Sequence, residues 1–235
     1  MNQDYYQNQT KTFEVATSGL MTRVYQWMMI GVLLTAFVAH MVAANPSLMM
    51  SMVTGPMKWV LFIAQIGLVF VISGMIERLS SVVATSLFLV YSALMGATLS
   101  VVLYAYTASS VQSAFLTTSV GFAGLTLFGY VTKKDLSAMG SFLMMALFVV
   151  VAISLISMFF PSLRSGTFGL LMDFAILLIF AGLTAYDTQR IKAMAQHAYN
   201  DETKSKLAII GALSLYLNFI NLFITILNLT GDRRR

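Results

Sequence analysis

The chain alternates long apolar blocks with short polar breaks. Runs such as "MMALFVVVAISLISMFF" are apolar on every side and lack the spacing of an amphipathic surface helix. About 20 helical residues cross the ~30 Å of bilayer hydrocarbon, whereas a membrane β-barrel would show segments of about ten residues that alternate in polarity. The pattern therefore predicts an all-α membrane protein with seven transmembrane helices. The predicted spans are Val24–Ala44, Trp59–Ile76, Val82–Tyr106, Val111–Val131, Phe142–Phe160, Phe168–Asp187 and Ile209–Leu229.

The composition agrees with a membrane protein. Of the 235 residues, 58% are hydrophobic and 10% are charged, against roughly 25% charged residues in soluble domains. The chain has no cysteine, which excludes disulfides and thiolate metal sites, and its two histidines, His40 and His197, are isolated. We therefore expect no cofactor and no bound metal. The net charge of +5 comes from Lys and Arg scattered between apolar blocks, which is typical of membrane orientation and not of nucleic-acid binding.

The basic residues predict the orientation, because Lys and Arg concentrate in cytoplasmic loops. Nine fall on the side of the N-terminus and five on the other side. We therefore expect the N-terminus in the cytoplasm, with the chain in the inner membrane of the cell. The nine are Lys11, Arg23, Arg78, Lys133, Lys134, Arg190, Lys192, Lys204 and Lys206, and the five are Lys58, Arg164, Arg233, Arg234 and Arg235.

The breaks divide the chain into three segments. Residues 1–22 form a polar cytoplasmic segment, residues 23–230 the transmembrane domain, and residues 231–235 a basic tail. The first 22 residues lack the basic start of a signal peptide, so we interpret the first span as a retained helix. Seven crossings place the tail "GDRRR" outside, against the rule for basic residues. A half-inserted final hairpin is the alternative.

An aspartate, Asp187, closes the sixth apolar block in "GLTAYDTQRIK". An ionised carboxylate at the middle of a bilayer costs roughly 2.5–3.5 kcal/mol on insertion scales, so such groups face the bundle interior, water or a partner. One interpretation is a solvated residue at the cytoplasmic interface with Arg190 as its companion. The other is a functional group, which requires further polar side chains that converge on Asp187.

The seventh block carries such side chains along one face. In "GALSLYLNFINLFITILNL" polar residues recur at steps of four, three, four and three, while Leu, Ile and Phe cover the other faces. Amides in hydrocarbon are costly unless they pair. This polar stripe must therefore turn inward, either as a hydrogen-bonded packing seam or as the wall of a hydrated path. Its residues are Ser214, Asn218, Asn221, Thr225 and Asn228.

A second acid, Asp173, precedes Asp187 by 14 residues. That separation is about 320° around a helix and ~21 Å along it, which places both carboxylates on one face near opposite ends of the sixth span. Two acids on one face suit a cation route, with Asp173 as a further path-lining residue. They equally suit two interfacial residues that happen to align.

Two motifs, in order, carry a family resemblance. The sequence "FAGLTAYDTQRIK", followed by a polar loop and "GALSLYLNFINLF", is similar to the paired signature of the Bax-inhibitor family of seven-helix membrane proteins. The likeness to bacterial members covers about residues 20 to 230. The resemblance implies a fold in which the last helix lies at the centre of the other six. It also implies a pH-sensitive leak of cations, calcium in particular.

The resemblance implies a pH sensor made of two aspartates, and this chain departs from that pattern. Asp187 matches the first aspartate, whereas Asn218 in "LYLNFINLF" stands where the second carboxylate would be. Two carboxylates that share a site titrate as a coupled pair. With an amide as its neighbour, Asp187 is expected to titrate singly, and conduction can persist with a weaker or displaced pH response. The resemblance also implies an arginine latch, for which Arg78 in "MIERLSS" is the candidate.

Three classes of function are compatible with these features. The first is a passive cation leak in which Asp187 titrates and the polar stripe lines the path. The second is a non-conducting interaction protein that modulates a membrane-bound protease or another stress-response partner, as is thought for some bacterial relatives, through residues 190–206 and 1–22. The third, an intramembrane hydrolase, is disfavoured because neither "LLMD" nor "TAYD" supplies the "GxGD" pattern of aspartyl types. We expect a transport protein and no enzyme, with lipid and cations as its partners.

Overall fold

The computed structural model describes residues 2–157, 159–160, 165–197 and 200–234. These residues form eight α-helices and one 3₁₀ turn, Ala195–His197. Two of the basic residues counted for orientation, Arg164 and Arg235, lie outside the described residues. The helices are α1 (Asn2–Ala43), α2 (Pro46–Val53), α3 (Met57–Met75), α4 (Ser81–Ala105), α5 (Ala108–Val131), α6 (Ser137–Ser157), α7 (Gly166–Met194) and α8 (Asp201–Thr230).

Seven of these helices are long and apolar enough to cross a membrane, which confirms the prediction of an all-α protein with seven spans. The candidate span of α1 is Thr17–Ala43, and the other six are α3 to α8 over their whole lengths. Several helices extend beyond the predicted spans: α1 begins at Asn2, α7 continues to Met194 and α8 begins at Asp201. The reason is that hydropathy marks only the part of a helix that lies in hydrocarbon.

The sequence did not predict α2, which lies in the break after the first span. Asn45 caps its start by accepting a hydrogen bond from the backbone N–H of Leu48 at 3.2 Å, and a proline opens the helix. Asparagine suits the cap and proline suits the first turn, where its missing N–H has no helical partner. Because α2 has only eight residues, it shows no clear periodicity, and "NPS" looks like a plain break.

The chain divides into two compact units. The first comprises the chain up to Ala105 together with Ile191–Tyr216, and the second comprises Tyr106–Arg190 together with the chain from Leu217 onward. Each of the helices α7 and α8 therefore contributes residues to both units. Only the three-dimensional contacts reveal this division, because no polar break marks it in the sequence of α8.

In the first unit, α1 packs along α4 and is tied to α8 by buried hydroxyl groups. Thr35 of α1 donates to the backbone carbonyl of Ser92 at 2.8 Å and lies 2.6 Å from the hydroxyl of Tyr216. The ring of Tyr216 is fully buried and meets the rings of Phe88 and Tyr91 edge-on. An unpaired hydroxyl is costly in this setting, so the network holds the three helices in one register.

In the second unit, aromatic packing and one glycine bring α5, α7 and α8 together. The rings of Phe115 and Phe122 on α5 meet Phe219 of α8 edge-on, with centroids 5.6 and 5.5 Å apart. At Gly129 of α5 a Cβ would collide with the backbone of Ala185 on α7. Glycine permits this close helix crossing, and it places α7 against α5 at the level of the candidate site.

The last helix, α8, is the most buried span. In its most apolar window 67% of the residues are buried, against 11 to 39% in the other spans, as expected for a helix surrounded by others. It runs without a break for 30 residues, so the alternative of a half-inserted final hairpin is wrong. Beyond α8, Arg233 forms an isolated antiparallel bridge with Tyr106, which lies in the turn between α4 and α5.

Candidate functional site

Asp187 lies inside α7 and not at its end, because the helix continues for two further turns to Met194. Only 6% of its surface is exposed. The interpretation of Asp187 as a solvated residue is therefore wrong, whereas its pairing with Arg190 is confirmed. A carboxylate buried to this extent needs hydrogen-bonding or ionic partners within the protein.

Each oxygen of the Asp187 carboxylate has such a partner. The amide Nδ2 of Asn218 on α8 donates to Oδ2 at 2.8 Å, and Nη2 of Arg190 lies 3.0 Å from Oδ1. Bonds of this length to a charged group are stronger than neutral hydrogen bonds. Asn218 is 4% exposed, whereas the side chain of Arg190 is 31% exposed. The carboxylate thus joins a buried amide on a neighbouring helix to a cation that reaches toward the surface.

Neighbouring side chains hold Arg190 and this part of α7 in place. The guanidinium carbon of Arg190 lies 5.8 Å from the ring centroid of Tyr186, within the range of a cation–π interaction. Gln189 accepts a hydrogen bond from the N–H of Leu136 and donates to the carbonyl of Lys134, both at 2.9 Å. The turn between α5 and α6 is therefore attached to α7 beside the site.

Two fully buried threonines next to Asp187 form their hydrogen bonds within α7 itself. Thr188 donates to the carbonyl of Thr184 at 2.8 Å, and Thr184 donates to the carbonyl of Phe180 at 2.7 Å. Both hydroxyl protons are engaged one turn back along the helix. Asn218 and Arg190 are therefore the groups that bind the carboxylate.

A cavity of about 250 Å³ lies between α6, α7 and α8, large enough for roughly eight waters at ~30 Å³ each. Its polar lining comes from Asp173 on α7, from Ser154 on α6 and from three members of the polar stripe, Asn221, Thr225 and Asn228. The other lining side chains are apolar. Sequence reasoning missed Ser154, because a lone serine in an apolar run gives no periodic signal.

The hydrogen bonds of the polar stripe distinguish a packing seam from the wall of a cavity. A seam requires its polar groups to bond to other helices. Instead, the amide of Asn221 donates to the carbonyl of Leu217 at 2.8 Å, and Thr225 donates to the carbonyl of Asn221 at 2.7 Å. Asn218 and Asn228 bond to residues outside α8, namely Asp187 and Tyr106. At Asn221 and Thr225 the stripe therefore resembles a cavity wall more than a seam.

Two further predicted site residues belong to the first unit. Ser214 is half-buried on α8 and is not among the residues that line the cavity. Arg78 lies in the turn after α3, where its backbone N–H donates to the carbonyl of Met75 at 2.9 Å, and it forms no ion pair within the described chain. The cation observed at Asp187 is Arg190. The role of Arg78 as a latch stays a prediction.

The described residues contain no group of three or more His, Cys, Asp or Glu that could hold a metal ion. Dedicated calcium sites supply six to eight oxygen ligands, several of them carboxylates. The cavity has a single carboxylate, Asp173, with amide and hydroxyl groups beside it. The described lining of the cavity therefore differs from that of a dedicated calcium site.

The fold and the site define a class, namely helical multi-pass membrane proteins with a buried carboxylate at the interface of their last two spans. The family model described as "Inhibitor of apoptosis-promoting Bax1" matches residues 17–235. The inner membrane protein YbhL of Escherichia coli K12 is 44% identical over 217 residues, which cover 91% of this chain and 92% of YbhL. A protein of Borreliella burgdorferi is 39% identical over 216 residues, 91% of this chain and 92% of that protein. A protein of Deinococcus radiodurans is 39% identical over 233 residues, 99% of this chain and 96% of that protein.

The chain therefore belongs to the Bax-inhibitor family, as the two motifs had indicated. Its seven apolar helices and its similarity to an inner membrane protein make it a multi-pass protein of the inner membrane.

Proposed function

We propose that the chain is a passive, pH-sensitive cation leak, with calcium among its ions, and that it has no enzymatic activity. Asp187 is the titrating group, and the polar stripe of α8 lines the path together with Asp173. One observation carries the proposal: both acids of α7 face the stripe, Asp187 at the amide of Asn218 and Asp173 at the cavity. With the N-terminus in the cytoplasm, Asp187 belongs to the cytoplasmic half of the path and the cavity to the other half.

The contacts of Asp187 supply a gating mechanism. The guanidinium of Arg190, 3.0 Å from Oδ1, occupies the place that a permeating cation would take beside the carboxylate. While Asp187 is ionised, it holds Arg190 and the amide of Asn218 by charge-assisted hydrogen bonds. Protonation removes the negative charge and weakens both bonds, so α7 and α8 become free to move apart at this level.

The lining of the cavity is compatible with cations and not with anions. The carboxylate of Asp173 attracts cations, and the carbonyl oxygens of amide side chains can replace part of an ion's hydration shell. The described lining contains no Lys or Arg. A cavity of about 250 Å³ allows the ion to keep several waters, which agrees with a leak of modest selectivity.

The test is calcium flux through purified protein in liposomes between about pH 6 and pH 8, where an unperturbed carboxyl group would not titrate. Wild-type flux should rise as the pH falls. Asp187→Asn keeps the shape of the side chain but cannot ionise, so its basal flux should differ from wild type and its pH response should be mostly lost. Asp135→Asn, a matched change in the turn before α6, should behave like wild type.

Indistinguishable fluxes of wild type and Asp187→Asn over this range would remove Asp187 from the mechanism. Wild-type flux no higher than that of protein-free liposomes would overturn the proposal as a whole. The alternative function, a non-conducting protein that modulates a membrane protease, would then be examined by affinity capture from detergent-solubilised membranes.

A further inference from the structure

The chain that follows α8 is held in a defined position. We name the segment Gly231–Arg234 the C-terminal strap. The N–H of Gly231 donates to the carbonyl of Leu227 at 2.8 Å. A Cβ at Gly231 would lie 2.5 Å from that carbonyl oxygen and 2.8 Å from the ring of Tyr106. Real Cβ atoms do not approach other atoms so closely, so glycine is required for the strap to leave the helix in this direction.

The strap pairs with the start of α5. The N–H of Thr107 donates to the carbonyl of Asp232 at 3.1 Å, and the N–H of Asp232 donates to Oγ of Ser110 at 2.9 Å. The guanidinium carbon of Arg233 lies 5.8 Å from the ring centroid of Tyr106, within cation–π range. Backbone, side-chain and ring contacts therefore hold three consecutive residues, Gly231, Asp232 and Arg233, in place.

Tyr106 connects the strap to the cavity. It is only 5% exposed although it lies in a turn, because Gly231 and Arg233 lie against its ring. Its hydroxyl donates to Oδ1 of Asn228 at 3.0 Å, and Asn228 lines the cavity. Movement of the strap would release the tyrosine, and with it the amide at this end of the cavity. The charge of Arg233 beside the same ring would also repel a cation that enters here.

We propose that the C-terminal strap closes the Asn228 end of the cavity between α6, α7 and α8 and controls the entry of cations into it. The ligand class, a small hydrated cation, rests on the proposed function. The closure itself rests on the contacts of Gly231, Asp232 and Arg233 with Tyr106, Thr107 and Ser110.

The test measures access to the cavity independently of flux. The native chain contains no cysteine, so Thr225→Cys provides a single thiol in the cavity lining. The full-length protein is placed in nanodiscs, where both faces of the bilayer are accessible, and the thiol is modified with the cationic reagent 2-(trimethylammonium)ethyl methanethiosulfonate. Two changes loosen the strap: Gly231→Ala introduces the excluded Cβ, and Ser110→Ala removes the hydroxyl oxygen that accepts the hydrogen bond from the N–H of Asp232. Gly124→Ala is the matched control, because a Cβ there meets nothing within 4 Å.

If opening precedes modification, the rate follows the opening equilibrium. Loss of one hydrogen bond in Ser110→Ala should raise the rate about 2- to 10-fold, and Gly231→Ala should raise it at least as much. Gly124→Ala should match the parent. Should Gly231→Ala fail to fold, Ser110→Ala decides alone. If the strap variants are modified at the same rate as Gly124→Ala, the proposal that the strap closes the cavity is wrong.

Flux measured on the strap variants without Thr225→Cys separates the two proposals, because Thr225 lines the proposed path. Faster modification without any calcium flux in liposomes would support closure of the cavity by the strap and would contradict the proposal of a cation leak. Calcium flux together with equal modification rates would support the cation leak and would contradict closure of the cavity by the strap.

Discussion

Asn218→Asp would place a second carboxylate against Asp187, at the position where the family resemblance implies one. The amide nitrogen of Asn218 lies 2.8 Å from Oδ2 of Asp187. Asn218 is 4% exposed and Asp187 is 6% exposed. Two unit charges about 4 Å apart repel by about 4 kcal/mol at an effective dielectric constant of 20. Arg190 on the other oxygen offsets part of this repulsion. The two carboxyl groups should therefore share one proton in the folded variant at neutral pH.

The sign of the effect on stability follows from the proton count. In the unfolded chain both aspartates are ionised above about pH 5, so unfolding of the variant releases the shared proton. Its free energy of unfolding should therefore fall relative to wild type as the pH rises, by up to about 1.4 kcal/mol per pH unit, until the shared proton is lost. The variant is most stable, compared with wild type, at acid pH. Calcium should stabilise it more than it stabilises wild type, because a divalent cation can replace the proton between two carboxylates.

The assay is the unfolding temperature of both purified proteins from about pH 5 to pH 9, with and without calcium. Asn221→Asp makes the same chemical change one turn further along the stripe. The amide of Asn221 donates to the carbonyl of Leu217 and not to Asp187. The stability of this control should therefore fall less steeply with rising pH than that of Asn218→Asp. Parallel curves for the two variants would mean that residues 187 and 218 do not face each other, and would remove the gating mechanism proposed for this chain.

Three further predictions follow from other contacts. Asn221→Leu should reduce flux if the cavity wall is hydrated, whereas unchanged flux with a higher unfolding temperature would show that the polar stripe is a packing seam after all. Gly129→Ala should lower the free energy of unfolding by about 1–3 kcal/mol, because the added Cβ overpacks against Ala185. Gly124→Ala, which has open space at its Cβ, should not lower it. Equal unfolding temperatures of the two variants would contradict the close crossing of α5 and α7 at Gly129. Hydrogen bonds from the side chain and the backbone N–H of Ser137 hold the pKa of Asp135 below its usual value. At pH values above about 4, Asp135→Ala should therefore lower the unfolding temperature by a small amount, and this difference should vanish as the pH falls through the lowered pKa. A difference that persists at low pH would show that the charge of Asp135 does not cause it.

The sequence alone determined the number and type of the spans. In hydrocarbon every backbone N–H and C=O must be satisfied within its own segment, so an apolar block of sufficient length has to be a helix. The same cost made the polar stripe informative, because amides from Asn218 to Asn228 in an apolar helix must face the protein interior. Asp187 was recognised for the same reason, and the two motifs around it identified the family before any contact was known.

Only the tertiary structure decided what these groups do with one another. The sequence places Arg190 one turn from Asp187 on α7, but the partner from another helix depends on which helix lies opposite, and the structure shows Asn218 there. The stripe was equally compatible with a seam and a hydrated wall in the sequence, and only the packing of α6 and α7 shows that a cavity lies beside Asn221 and Thr225. The strap could not be foreseen at all, since Tyr106 and Arg233 are far apart in sequence, and contacts of that kind depend on the packing of the helices between them rather than on any local pattern.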